Sequence, residues 1–169
     1  MRKNFGRLCA IARKDAGYTQ ESASEKFGIS SRSMYDYETG VTKVPDDIAA
    51  QMVKSYKTPW LGYIYLFTST EVGRLILPTI ELKELSSSIL NWQVHMKKAN
   101  DMQYDIAEVG SDNRIDSEEQ PIYKKCISTI NMLIGAAFSV VMAPIVPNKK
   151  TAPVGAGNGL IQKIFTRTL

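Results

Sequence analysis

Side chains that carry chemistry are scarce in this chain. It holds one histidine, His95, and two cysteines, Cys9 and Cys126, so the C-x-x-C spacing of a metal or redox site is missing. Cys9 falls inside an apolar pattern and reads as a small buried hydrophobe. His95 lies beside Trp92 and Met96 and reads as a partly exposed helical residue. Asp112, Asp116, Glu118 and Glu119 gather near one loop but lack the twelve-position ligand spacing of a calcium loop. Gly155, Gly157 and Gly159 do not complete G-x-G-x-x-G, and no strand precedes them. With no nucleophile–base pair and no ligand cluster, the sequence points away from an enzyme and names no catalytic residue, metal or cofactor. Met1-Arg2-Lys3 is followed by a mixed helical pattern rather than an apolar run, so no signal peptide is expected and a reducing cytoplasm fits.

Charge is unevenly spread. Residues 1–60 carry 10 Lys/Arg against 7 Asp/Glu, residues 61–120 carry 5 against 10, and residues 121–169 carry 6 against none. The mildly basic start permits contact with phosphates, and the acidic middle argues against DNA contact there. The basic end suits a tail or a second anionic contact.

Along the chain the periodicity is helical throughout, and an all-α protein is expected. Phe5, Leu8, Cys9, Ile11 and Ala12 form the inner face of a first helix that ends at Gly17. Thr19 and Ser30 are N-cap candidates for two short helices separated by a turn at Gly28, the second ending at Gly40. Such a pair with a short glycine turn is the signature of a helix-turn-helix. Pro45 with Asp46 or Asp47 opens a fourth helix that buries Ile48, Ala49, Met52 and Val53. Thr58-Pro59 opens a fifth, whose Trp60, Leu61, Ile64, Tyr65 and Phe67 close a small core. Residues 1–67 thus read as a five-helix DNA-binding domain, and 68–80 as a linker or short packing helix.

Residues 81–143 read as a long antiparallel helical hairpin. Its first helix, over 81–109, carries the stripe Leu82, Leu85, Ile89, Trp92, Met96, Ala99, Gln103 and Ile106. A turn at Gly110-Ser111-Asp112-Asn113 leads to a second helix from Asp116 or Ser117 to Met142, with Tyr123, Ile127, Ile130, Ile134, Ala137 and Val141 as its stripe. Two such helices joined by a short loop fold back on each other. The 23 uncharged residues from Cys126 to Asn148 are also long enough to span a bilayer. Against a membrane segment stand Pro144, Pro147 and a small or polar stripe through Lys124, Ser128, Asn131, Gly135 and Ser139. A soluble hairpin is the preferred reading, with its surplus apolar surface buried on the N-terminal domain or another subunit. Residues 144–169 read as a disordered basic tail.

The case for DNA starts from the helix Ser31-Arg32-Ser33-Met34-Tyr35-Asp36-Tyr37-Glu38-Thr39. With Met34 and Tyr37 facing the core, Ser31, Arg32, Tyr35 and Asp36 face outward and are the candidate base contacts. The planar fork of Arg32 matches guanine O6 and N7; the plain alternative is a solvated ion pair with Asp36 at i+4. Asp36 either accepts from cytosine N4 or orients Arg32. Tyr35 either touches sugar or a thymine methyl or is an exposed helix residue. Thr19, Gln20, Ser30, Thr39 and Lys43 flank this helix and are the candidate phosphate contacts. Glu38 reads as structural, pairing with Arg13.

From Thr19 to Gly40 the chain resembles the helix-turn-helix of the Cro/C1-type, or xenobiotic-response-element-like, regulators. Thr19-Gln20, Gly28, Ser30, Met34, Glu38-x-Gly40 and Pro45 match in register. The resemblance implies a lambda-repressor-like domain, a phosphate contact and a bracing role for Gln20, base reading by Ser31, Arg32 and Asp36, and a backbone contact at Thr39. Ala23 stands where the family usually has leucine, with Tyr18 or Phe27 available to make up its bulk. Asp36 stands where glutamine or arginine is frequent.

The function expected from these features is a sequence-specific regulator of transcription, a repressor that binds a palindromic operator in double-stranded DNA as a homodimer. The alternatives are an antitoxin-like protein whose residues 81–143 engage a protein partner, and a membrane-tethered regulator.

Overall fold

The computed structural model describes residues 2–143, with the side chains from Asn4 onward. The expected tail at 144–169 lies outside the described residues. Among those residues the fold is all-α, with no strand, and divides after Leu77 into two compact units.

The first unit holds α1 (Arg2–Asp15), α2 (Gln20–Lys26), α3 (Ser31–Thr39), α4 (Asp46–Tyr56), α5 (Pro59–Ser69) and α6 (Glu71–Ile76). Its helices start where side chains satisfy the free amides of the first turn. Thr19 Oγ1 accepts from Ser22 N at 3.1 Å and Ser22 Oγ accepts from Thr19 N at 3.0 Å, a reciprocal capping box. Ser30 Oγ accepts from Ser33 N at 3.0 Å. Neither Asp46 nor Asp47 caps α4; both sit in its first turn, where their charge suits the helix dipole, and Pro45 takes the cap position. Gly40 ends α3 at φ 72°, a conformation that carries a steric penalty for residues with a Cβ.

Leu8, Cys9 and Ala12 of α1, Ala23 of α2, Met34 of α3, Met52 of α4, and Leu61 and Ile64 of α5 form the core. The rings of Tyr18 and Phe27 both lean on Tyr56, at 5.8 and 5.7 Å, and Phe5 packs on Tyr65 at 5.5 Å. Gly6 lets α1 settle against the end of α3: a Cβ there would lie 2.4 Å from the Tyr37 carbonyl oxygen and 2.6 Å from that of Glu38. The segment expected as a linker or short packing helix holds the end of α5 and the short helix α6, within which Gly73 packs closely on the Leu66 carbonyl, and residues 77–80 are irregular. Thr70 caps α6 by accepting from Gly73 N at 2.9 Å.

The second unit holds α7 (Leu85–Asp101), α8 (Gln103–Val109) and α9 (Gln120–Val141). α9 runs back along α7 and α8 as the expected hairpin, with two corrections. First, the single helix expected over 81–109 begins at Leu85 and breaks at Met102. Residues 77–84 lack regular structure, with Ile80 and Leu82 buried. Asn100 and Asp101, residue types of low helix propensity, precede the break. α9 likewise begins at Gln120, after a turn in which Glu119 Oε2 accepts from Asp116 N at 2.9 Å.

The second correction concerns which face is covered. Cys126, Gly135, Ala136 and Ser139 are the buried residues of α9, while Tyr123, Ile127, Ile134 and Val141 of the expected inner stripe are exposed. The cause is close backbone approach. A Cβ on Gly135 would stand 2.5 Å from the Thr79 carbonyl oxygen, and Ser139 Oγ accepts from Glu81 N at 3.2 Å. Only small side chains fit under that segment. On α7, Leu85, Ile89, Leu90, Val94 and Met96 are also exposed, so both helices keep apolar surface uncovered.

Candidate nucleic-acid interface

The candidate site is α3 with the start of α2. A buried network sets how these two helices meet. Arg13 Nε donates to Glu38 Oε1 at 2.6 Å and Nη2 donates to Oε2 at 3.0 Å, a bidentate pair with both side chains almost fully buried. Arg13 Nη1 donates to the Tyr18 carbonyl at 2.7 Å, and Gln20 Nε2 donates to Glu38 Oε2 at 2.7 Å. α1, the α1–α2 turn, α2 and α3 are therefore joined at one carboxylate. Hydrogen bonding to Glu38 is the chief reason the Arg13 guanidinium is held above its ordinary pKa. The pairing of Glu38 with Arg13 follows the expectation. The Tyr18 carbonyl had no signal in the sequence, because any residue supplies one.

The candidate base contacts sort by exposure. Ser31, Arg32 and Tyr35 are exposed, and Asp36 is partly covered. Arg32 Nε donates to Asp36 Oδ2 at 3.3 Å, and the guanidinium lies 5.6 Å from the centre of the Tyr35 ring. Ser31 Oγ lies 3.3 Å from Ser24 Oγ, a polar contact between α2 and α3. An exposed i,i+4 pair gives about 0.3–0.5 kcal/mol, and a bidentate arginine–guanine contact gives about 1–3 kcal/mol of discrimination. The ion pair is thus too weak to hold Arg32 away from a guanine edge.

Most of the candidate phosphate contacts already have work within the fold. Thr19 and Ser30 cap α2 and α3 through their oxygens, and both hydroxyls have a further partner within the fold: Thr19 Oγ1 donates to Ser22 Oγ at 3.3 Å, and Ser30 Oγ lies 2.9 Å from Ser33 Oγ. Gln20 uses one amide proton on Glu38; the other is free for an acceptor at the N-terminus of α2. Thr39 Oγ1 donates back to the Tyr35 carbonyl at 2.8 Å, which leaves it acceptor-only in this rotamer. Lys43 Nζ donates to the Ser69 carbonyl at 3.0 Å, an exposed bond that leaves the ammonium open to an anion. Glu21 adds a competing charge at the same helix start. A backbone N–H bond, and next the Thr19 hydroxyl, hold its carboxyl below the usual range.

Two buried groups beside this ion pair, Cys9 and Tyr56, are kept neutral. The Cys9 thiol is pushed far up by burial and then by the charge of Glu38, so it is no nucleophile. Tyr56 is raised for the same two reasons. Among the described residues no cluster of His, Cys, Asp or Glu has the arrangement of a metal site. No protein-family model, curated protein or solved structure matches this chain significantly.

Proposed function

We propose that α1–α5 form a Cro/C1-type helix-turn-helix domain of lambda-repressor-like architecture, and that the chain is a sequence-specific DNA-binding repressor of transcription. α2 and α3 are the two helices of the motif, and α3 enters the major groove. The observation that carries this reading is the buried Arg13–Glu38–Gln20 network. It fixes α2 and α3 to each other from behind while the Ser31, Arg32 and Tyr35 surface of α3 stays uncovered. A recognition helix needs both properties, since base edges are read only by side chains held in register with the phosphates. Gln20 and Lys43 supply protons to the backbone on either flank, and Thr19, Ser30 and Thr39, whose hydroxyls are engaged within the fold, are the weaker members of the set.

The second unit is the dimerisation element in this reading. The uncovered apolar residues of α7 and α9 supply the surface, and pairing through a two-fold axis presents two recognition helices about 34 Å apart. The deciding experiment is selection of bound sequences from random duplex DNA by the full chain. A palindrome with half-sites about one helical turn apart is the expected result. No enrichment at low salt removes the reading and favours a protein partner for the hairpin.

A second reading rests on α9 alone. Among the described residues it is the one helix long and apolar enough to cross a membrane, and 22% of its most apolar window is buried within the chain. A membrane-tethered regulator predicts that the expressed protein sediments with membranes; the dimeric regulator predicts that it stays in the soluble fraction.

A further inference from the structure

We infer that Asp36 and Tyr35 do not read bases themselves but hold Arg32 as a preorganised reader of a single guanine in each half-site. This rests on the reading of α3 as the recognition helix and assigns its specificity. Arg32 offers three nitrogens. The one engaged by Asp36 is Nε, at 3.3 Å from the carboxylate. That leaves Nη1 and Nη2, the two ends of the fork, for a pair of acceptors. The Asp36 side chain is 19% exposed, whereas the Arg32 side chain is 78% exposed. The carboxylate is therefore the fixed member and the guanidinium the presented one. The ring of Tyr35, 5.6 Å from the guanidinium carbon, is a second support one helical turn from Arg32.

The chemistry of the acceptor follows. A free fork of two parallel N–H donors matches the adjacent O6 and N7 of guanine in the major groove. Adenine has N7 but a donor at the neighbouring position, and the pyrimidines lack the pair. Cytosine N4 would be the partner of an unsupported Asp36, but that use requires the carboxylate to leave Arg32 and approach the phosphates as a bare anion. Bound to Nε, the carboxylate keeps its charge compensated and, as an exposed i,i+4 pair, biases the rotamers of a long side chain before DNA arrives, a modest reduction in the ordering cost of binding. Asp36 is a positioning residue in this assignment, and Arg32 is the contact.

The test uses the full chain, its selected duplex, and the set of duplexes that differ from it by one base pair, all at one salt concentration. Wild-type protein should prefer guanine at one position of each half-site by about 5- to 150-fold, the range of a good bidentate contact. Arg32→Ala should abolish that preference. Asp36→Ala should reduce it at the same base pair and nowhere else, and the double variant should match Arg32→Ala. Affinity of Asp36→Ala for random duplex should be unchanged or higher, because a negative charge near the backbone is gone; loss of folding would instead weaken both. Asp36→Asn, which keeps the shape of the side chain, should give the same pattern and serves where the alanine variant loses helicity. Two results overturn the assignment and leave DNA reading intact: Asp36 variants that alter preference at a different base pair, or Asp36 variants that leave the guanine preference whole. A wild-type protein with no preference at any position removes the underlying reading as well.

Discussion

Gln20 and Glu38 are joined by a 2.7 Å hydrogen bond that ties the first residue of α2 to the last turn of α3. The bond shares its acceptor oxygen with Arg13, so the two contacts have different worth. Glu38→Ala strips a buried guanidinium of its counter-charge and should cost about 3–5 kcal/mol, the usual result of breaking a buried pair by removing one partner. Gln20→Ala leaves the Arg13–Glu38 pair whole and should cost about 0.5–1.5 kcal/mol of stability. Urea unfolding followed by helical circular dichroism separates the two. On the proposed reading, in which Gln20 contacts the phosphate backbone, Gln20→Ala should also weaken binding to all duplexes evenly. Equal unfolding costs for the two variants would show that Glu38 is not the hub.

Gly6 and Gly62 both sit in helices, yet they should answer differently to alanine. A Cβ on Gly6 meets backbone carbonyl oxygens of Tyr37 and Glu38 at 2.4 and 2.6 Å, and backbone at a helix end has little room to retreat. Gly6→Ala should therefore cost about 1–3 kcal/mol through overpacking. A Cβ on Gly62 meets the tip of Val53 at 3.2 Å, a side chain able to shift. Gly62→Ala should be close to neutral or stabilising, because helical glycine carries a penalty of about 1 kcal/mol relative to alanine. Thermal melts of the two variants check the contrast. Because Gly6 packs on the end of α3, the proposed recognition helix, its variant should on that reading also lose duplex affinity.

What was legible in the sequence was mostly local. Thr19, Ser30 and Gly40 mark helix ends through contacts within a few residues, and the sequence carries those in order. The Arg13–Glu38 pair spans 25 positions and was still readable, because a carboxylate on the inner face of a helix demands a partner. Gly6 was not readable, since a lone glycine inside a helix signals a propensity cost but not what lies against it. The face of α9 was misread for a related reason. Periodicity identifies a stripe of large apolar residues at Tyr123, Ile127, Ile134 and Val141, but it does not say which stripe the chain covers itself. The close pass of the Thr79 backbone selects the small residues Gly135 and Ser139. Of the candidate site, exposure on α3 was legible from the spacing of Met34 and Tyr37, although Glu38 is buried beside Met34 and Tyr37 is only half-buried. The second duties of Thr39 and Lys43 depend on rotamers and on Ser69, which no pattern in the sequence joins to Lys43.

The uncovered stripe on α9 makes a prediction about assembly. If it is the surface between two copies, Ile127→Lys combined with Ile134→Lys should convert a dimer to a monomer in sedimentation equilibrium. Helicity should hold, because both residues are already exposed in the single chain. Affinity for a palindromic duplex should fall steeply while affinity for a half-site stays the same, since the two half-sites then bind as separate events. Substituting Gly135→Leu is the control. It strikes the Thr79 backbone within the hairpin, so it should lower helicity and stability rather than association alone. A wild-type chain that is monomeric at concentrations where it binds DNA would remove the dimer and leave the stripe to another partner.

Alkali should loosen the first unit through its buried thiol and phenols. Cys9, Tyr56, Tyr63 and Tyr65 are all neutral when protonated, and burial is the leading cause that raises each of them. Tyr63 is pushed up to about 12 from its ordinary 10.0. The unfolded chain thus releases these protons at lower pH than the folded one. Stability from this source is whole below pH 9.0, the ordinary value of the thiol. It then falls as pH rises through the tyrosine range toward about 12. Each group contributes a slope of about 1.4 kcal/mol per pH unit within its own window. Unfolding midpoints in urea taken across that range should fall together with the rise of tyrosinate absorbance. Tyr56→Phe sharpens the test. Its hydroxyl is buried with no hydrogen-bond partner among the described residues, so its removal should cost little or stabilise at neutral pH. The same variant should lose part of the alkaline slope, because the ring can no longer ionise in the unfolded chain. An unchanged slope would place the alkaline transition elsewhere than in this aromatic core.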